Sequence, residues 1–250
     1  SGGASQVVLV QGRAAVRDAD LQANTDRYVR AAALKVPEAT KGQPKLVLRR
    51  LAFYYARIWI EIEPLRSRWW SGRELEDQPQ EWRAQAGASS HKSDPPPRGS
   101  QPPAWLTPPS DWREVAERAL AQLPLVDLTT VDAEGYPLSI PVTAGALLGD
   151  EVALTVGSGA PELPDGPACL TVHGHDEKFT TQENHTLVGE LLHGAGGPSL
   201  RVERALADWS LTGNRAQIAL GFLRKGRSLR PRLSAEAARR GQPVPEVRLP

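Results

Sequence analysis

Residues 123–142, LPLVDLTTVDAEGYPLSIPV, carry the clearest alternation of apolar and polar positions in the chain. Leu125, Val126, Leu128 and Val131 stand with Thr129 and Thr130 before Asp132-Ala133-Glu134-Gly135, and Leu138 and Ile140 alternate on the return. This predicts a β-hairpin whose turn takes its positive φ at Gly135. Just upstream, Trp112, Val115, Ala116, Ala119, Leu120 and Leu123 recur at helical spacing, with Asp111 and Glu114 placed as a capping-box variant, so a helix is expected over 111–123. Residues 151–156 and 168–173 read as third and fourth strands, separated by GSGAPELPDGP, a connection too rich in Gly and Pro for a helix. Residues 184–192 and 200–211 read as a further strand pair.

The earlier part of the chain repeats some of this pattern. Residues 6–16, QVVLVQGRAAV, start as a strand and hold Gly12, which inside a strand marks a bulge or a close backbone approach. Leu21, Thr25, Tyr28, Val29 and Ala32 then share one helical face, ended by Pro37. Residues 53–63, FYYARIWIEIE, read as one strand closed by Pro64, with Tyr54, Ala56, Ile58, Ile60 and Ile62 on one face and Tyr55, Arg57, Trp59 and Glu61 on the other. Residues 71–109 are polar and Pro-rich and read as an extended linker, either a free tether or a strap anchored by Trp82 and Trp105. The tail predicts helical segments at 215–223 and 234–240, many arginines and a Pro-rich end. VLVQGRA around Gly12 resembles TLVGELL around Gly189, and IWIEIEPLRSRWW resembles LRVERALADWSL, each a strand running toward Trp.

A capped helix, a hairpin of the form T-T-x-D-x-x-G-x-P and two further strands together resemble the flavin-binding split-barrel superfamily, the pyridoxamine phosphate oxidase-like proteins. The resemblance covers residues 112–210 and, in part, 6–71. It implies a mainly β (α+β) fold of two tandem split β-barrels with peripheral helices, the first lacking its N-terminal half. Residues 1–75 would be the C-terminal part of a first barrel, 76–109 a Pro-rich linker, and 110–250 a second barrel with a helical tail.

Composition narrows the partners. With 30 Lys and Arg against 29 Asp and Glu, there is no global basic field of the kind that non-specific nucleic-acid binding uses, so nucleic acid is not an expected partner. No apolar run approaches the roughly 18 residues that span a bilayer, so no membrane association is expected. The single Cys169, in ACLTV, reads as a buried strand thiol without a disulfide, which fits a reducing, cytoplasmic setting. The chain has no Met and begins Ser-Gly-Gly, which is expected of a processed or truncated product.

In the resembled superfamily flavin mononucleotide (FMN) lies between two barrels, its phosphate held by Arg, Lys, Ser and Thr of the early strands and its ring flanked by the partner barrel. Here the hairpin offers Thr129, Thr130 and Ser139. The connection GSGAPELPDGP departs from the pattern: it has no Arg or Lys and carries Glu162 and Asp165. The earlier half offers Arg57, Arg66, Arg68, Trp69 and Trp70, although Arg beside Trp at a strand end is also what surface cation–π stacking looks like. The expected cofactor-binding residues are therefore Arg57, Arg66, Arg68, Trp69, Trp70, Thr129 and Ser139. The implied activity is that of a flavin-dependent oxidoreductase with a small-molecule substrate or redox partner, its barrels paired in a homodimer or as an intrachain pseudo-dimer. The alternative is a non-catalytic split barrel that binds haem or another ligand; deazaflavin in place of FMN is a further variant. His173 and His175 flank Gly174 and face one side of a strand, as a haem or metal site would require, but no CxxC or HExxH accompanies them. No nucleophile elbow, phosphate loop or dinucleotide fingerprint is present, and no catalytic residue is identified.

Overall fold

A computed structural model describes residues 6–35, 51–85, 92–100, 104, 106–176, 181–207, 210–213 and 215–249. In chain order the elements are β1 (Val7–Arg17), α1 (Leu21–Lys35), α2 (Ala52–Tyr55), β2 (Trp59–Trp70), β3 (Gln80–Arg83), α3 (Trp112–Gln122), β4 (Leu125–Val131), β5 (Pro137–Pro141), β6 (Thr143–Leu148), β7 (Glu151–Thr155), β8 (Gly166–His175), β9 (Gln182–Gly194), β10 (Gly197–Ala205) and α4 (Arg215–Arg239). The result is a β-rich α+β fold with two sheets, one of three strands in the order β1-β2-β3 and one of seven in the order β5-β4-β8-β9-β10-β7-β6.

The chain divides into two units, each discontinuous in sequence. Unit 1 holds residues 1–12, 64–88 and 106–211, and unit 2 holds 13–63, 89–105 and 212–250. The stretch read as a linker, 76–109, is thus shared between the units, and part of it is strand β3, paired with Arg66–Trp69 of β2. Trp105 lies outside the described residues, and Trp82 on β3 is 47% exposed.

Unit 1 is built on the hairpin. Asp111 caps α3, its carboxylate accepting from the backbone N–H of Arg113 (3.0 Å) and Glu114 (3.3 Å). The helix lays Ala116 and Ala119 on the seven-stranded sheet, where Leu128, Leu170, Val172, Leu187, Leu191 and Leu200 are fully buried. In β4 and β5 Leu128 pairs with Ile140 and Thr130 with Leu138, so the predicted alternation puts these four on the core face. Gly135, at φ 83°, makes the turn. Gly189 of β9 lies so close to the Arg201 carbonyl of β10 that a Cβ there would strike it, a close approach that only glycine permits. Besides β3, a second strand escaped the sequence pattern: β6, TAGALL, has a weak alternation but pairs with β7. A second core cluster gathers Leu9, Trp70, Leu75, Leu138 and Ile140.

Unit 2 corrects the reading of residues 53–63. The first aromatic residues form the short helix α2, and the strand starts at Trp59 and continues through Pro64 to Trp70. Packing overrides strand propensity here: Tyr28, Tyr54 and Tyr55 cluster with ring centroids 5.4–6.3 Å apart, and Tyr54 meets Phe222 edge-on at 5.2 Å. Pro64 lies inside β2, but the β3 pairing begins only at Arg66, so its missing N–H breaks no bond to β3. Ile58, Ile60 and Ile62 share a face as expected, yet each is 56–58% exposed. Leu21, Thr25 and Val29 form the buried face of α1. The Pro-rich run is tied down, Asp94 accepting from Asp18 and Ala19 backbone N–H at 3.0 Å and Arg239 donating to the carbonyls of Pro97 and Arg98. The two predicted tail helices are one helix of 25 residues, α4, with Pro231 inside it.

Candidate functional site

Strand alternation divides β4, β5 and β8 into an apolar inner face and a polar outer one. The outer face carries Asp127 and Thr129 of β4, Ser139 of β5, and Cys169, Thr171 and His173 of β8. Register sets Thr129 between Ser139 and Cys169, and Asp127 opposite Thr171. The Thr129 and Ser139 hydroxyls are 2.9 Å apart. Asp127, about 7 Å along the strand from Thr129, accepts a hydrogen bond from His173 Nε2 at 2.8 Å and one from Arg73 Nη2 at 2.9 Å. Burial pushes the Cys169 thiol up, and the hydrogen bond with Thr129 only partly opposes this, so Cys169 is held as a thiol rather than a nucleophilic thiolate.

Arg73 is the residue that the sequence did not single out. It lies three positions beyond β2, as the third Arg of RSRWWSGR, and that clustering of arginines was the available signal. Nη2 bonds Asp127 and the Val126 carbonyl (3.2 Å). Among the described residues its Nε and Nη1 have no partner, so the guanidinium keeps donors for an anion.

The other expected residues fall in different places. Arg66 is 2% exposed at the centre of a knot: it donates to Gln11 Oε1 (2.7 Å) and to the carboxylates of Asp132 and Glu134 in the hairpin turn, and it lies 5.0 Å from the Tyr136 ring. Gln11 in turn donates to the Pro137 carbonyl at 2.7 Å. Arg68 pairs with Glu81 (2.8 Å), and the Trp69 indole donates to Gln80 (3.1 Å). Trp70 is 1% exposed and its indole N–H donates to the Gly159 carbonyl at 3.0 Å. That contact belongs to a seam in which Gly159 N–H donates to the Leu75 carbonyl (2.8 Å) and Ser158 to the Glu76 carbonyl (3.0 Å). Gly157 and Gly159 abut the backbone of residues 74–77 too closely for any Cβ. The GSG fragment is therefore a packing motif. Arg57, in unit 2, stacks on Tyr54 (4.7 Å) and Tyr28 (5.6 Å).

Two further features complete unit 1. An open cleft of about 580 Å³ is lined by Val156, Gly157, residues 160–165, His193 and Pro198, with His193 Nδ1 bonded to Asp165 at 2.7 Å. His175, beyond Gly174, donates to the Asp176 carbonyl at 2.9 Å. Among the described residues no group of three or more His, Cys, Asp or Glu stands ready to hold a metal ion, and no helix is long and apolar enough to cross a membrane. Compared with known proteins, the chain matches no family model and no curated protein.

Proposed function

We propose that unit 1 is a flavin-binding split barrel, that it holds FMN on the polar face of β4, β5 and β8, and that the protein is a flavin-dependent oxidoreductase of the pyridoxamine phosphate oxidase-like type. The path of the seven-stranded sheet carries this reading. Its two edge strands, β5 and β6, are consecutive in the chain with only Val142 between them, and Val142 N–H still donates to the Val126 carbonyl of β4 at 3.0 Å. A sheet whose opposite edges are one bent run has the connectivity that a curled, barrel-like sheet needs.

The donor set suits a phosphate: the hydroxyls of Thr129 and Ser139, and the unpartnered guanidinium nitrogens of Arg73 in place of the cations that GSGAPELPDGP lacks. Bound flavin would supply hydride or electron transfer. The chain's own part is to hold the phosphate with these three residues, while Asp127 orients both Arg73 and His173. A second barrel would supply the other wall of the ring slot. The lack of Arg and Lys in GSGAPELPDGP favours a second reading, a non-catalytic split barrel that binds haem or another ligand.

An absorbance spectrum of the purified protein, with any released chromophore identified by mass, separates these. A flavin is the expected result, and a released deazaflavin would change the cofactor but keep the site. A Soret band, or a colourless protein that takes up no FMN on titration, would overturn the reading.

A further inference from the structure

The outward stripe of α4 is a strongly charged surface that the proposed flavin site does not use. Between residues 215 and 235 the sequence carries six cations, Arg215, Arg224, Lys225, Arg227, Arg230 and Arg232, and no Asp or Glu, in a chain whose formal net charge is +1. The inner face of the helix is defined by its contacts within unit 2. Phe222 meets Tyr54, Gly226 lies so near Phe53 that an added Cβ would be 3.0 Å from its ring, and Ala237 is 1% exposed. The opposite stripe, at i, i+3, i+4 and i+7 spacing, runs Leu220, Leu223, Arg224, Arg227, and all four are exposed, the two leucines by 48% and 55%. Among the described residues Arg224 and Arg227 have no ion pair or hydrogen bond.

We infer that this stripe adsorbs to an anionic lipid surface. Charge complementarity favours a phosphate-bearing surface. The two leucines beside the arginines select a bilayer over a nucleic acid, because a sugar-phosphate backbone gives them nothing apolar to enter, whereas the headgroup and acyl boundary does. That no helix among the described residues is long and apolar enough to cross a membrane bears on crossing, not on surface adsorption.

Co-sedimentation of the whole protein with vesicles of phosphatidylcholine, with and without phosphatidylglycerol, tests the inference. Binding is expected only to the anionic vesicles. It should weaken at least about tenfold in Arg224→Glu/Arg227→Glu and be largely lost as salt rises from about 0.1 M to about 1 M. Leu223→Ser should also weaken it. Helical circular dichroism would show that these exposed substitutions leave the fold intact. Equal binding to neutral vesicles, no binding to anionic ones, an unaltered charge-reversal variant, or retention of duplex DNA without vesicle binding would each overturn the proposal.

Discussion

Replacing Trp70 with alanine is expected to cost about 3–5 kcal/mol of unfolding free energy, the range for removing a fully buried indole from a packed core. The side chain fills the cluster formed with Leu9, Leu75, Leu138 and Ile140, and its N–H is a partner of the Gly159 carbonyl. Two physical contributions can be separated. Trp70→Phe keeps most of the apolar volume but leaves the carbonyl short of a donor, and should cost about 1–3 kcal/mol. Denaturant unfolding of both variants would check this, with Trp70→Ala far below Trp70→Phe. Equal midpoints for Trp70→Ala and the unaltered protein would contradict the placement of this residue in the core.

Removal of Arg66 should be comparably damaging. Arg66→Met leaves the Asp132 carboxylate, whose side chain is only 10% exposed, without its cation. Breaking a buried pair from one side costs about 3–5 kcal/mol, and the lower end is expected because Asp132 also accepts backbone N–H bonds from Glu134 (3.0 Å) and Tyr136 (2.9 Å). Acid should reveal the same pair. Burial alone would raise the Asp132 value, but the Tyr136 N–H, Arg66 and Gln11 outweigh it and hold the carboxyl below the usual range. A depressed folded value means that the contribution is complete above the unfolded value of about 4 and is lost as pH falls through the lower folded value. The gap in unfolding midpoint between the native protein and Arg66→Met should therefore narrow from about pH 5 toward pH 2. Asp132→Asn in both backgrounds should give a non-additive cycle.

Much of unit 1 was legible in residue order because its signals are local. Asp111 before an apolar helical face, Asp132 to Gly135 between two alternating runs, and strand-length apolar segments around Leu170 and Leu187 each fix an element without reference to the rest of the chain. What was not legible depended on distant partners. Tyr54 and Tyr55 obey strand statistics, but their packing with Tyr28 and Phe222 makes that segment helical. The alternation of Ile58, Ile60 and Ile62 correctly put them on one face, but alternation does not report what covers a face. At the candidate site, Thr129 and Ser139 were found because they pair within one hairpin. Arg73 was missed because it reaches Asp127 across 54 sequence positions. Arg66 and Trp70 stood out by residue type, and the structure places both in internal contacts.

In the proposed site the polar face of β4, β5 and β8 takes the FMN phosphate with Arg73 as its cation. Titration of the cofactor-free protein with FMN, followed by flavin fluorescence and repeated with Arg73→Gln, tests it most directly. Saturable binding to the unaltered protein is expected, with a loss of about 10- to 100-fold in Arg73→Gln, the worth of a charge-assisted hydrogen bond, and a smaller loss for riboflavin, which has no phosphate. An affinity for FMN that is unchanged by Arg73→Gln, or equal for FMN and riboflavin, would contradict it.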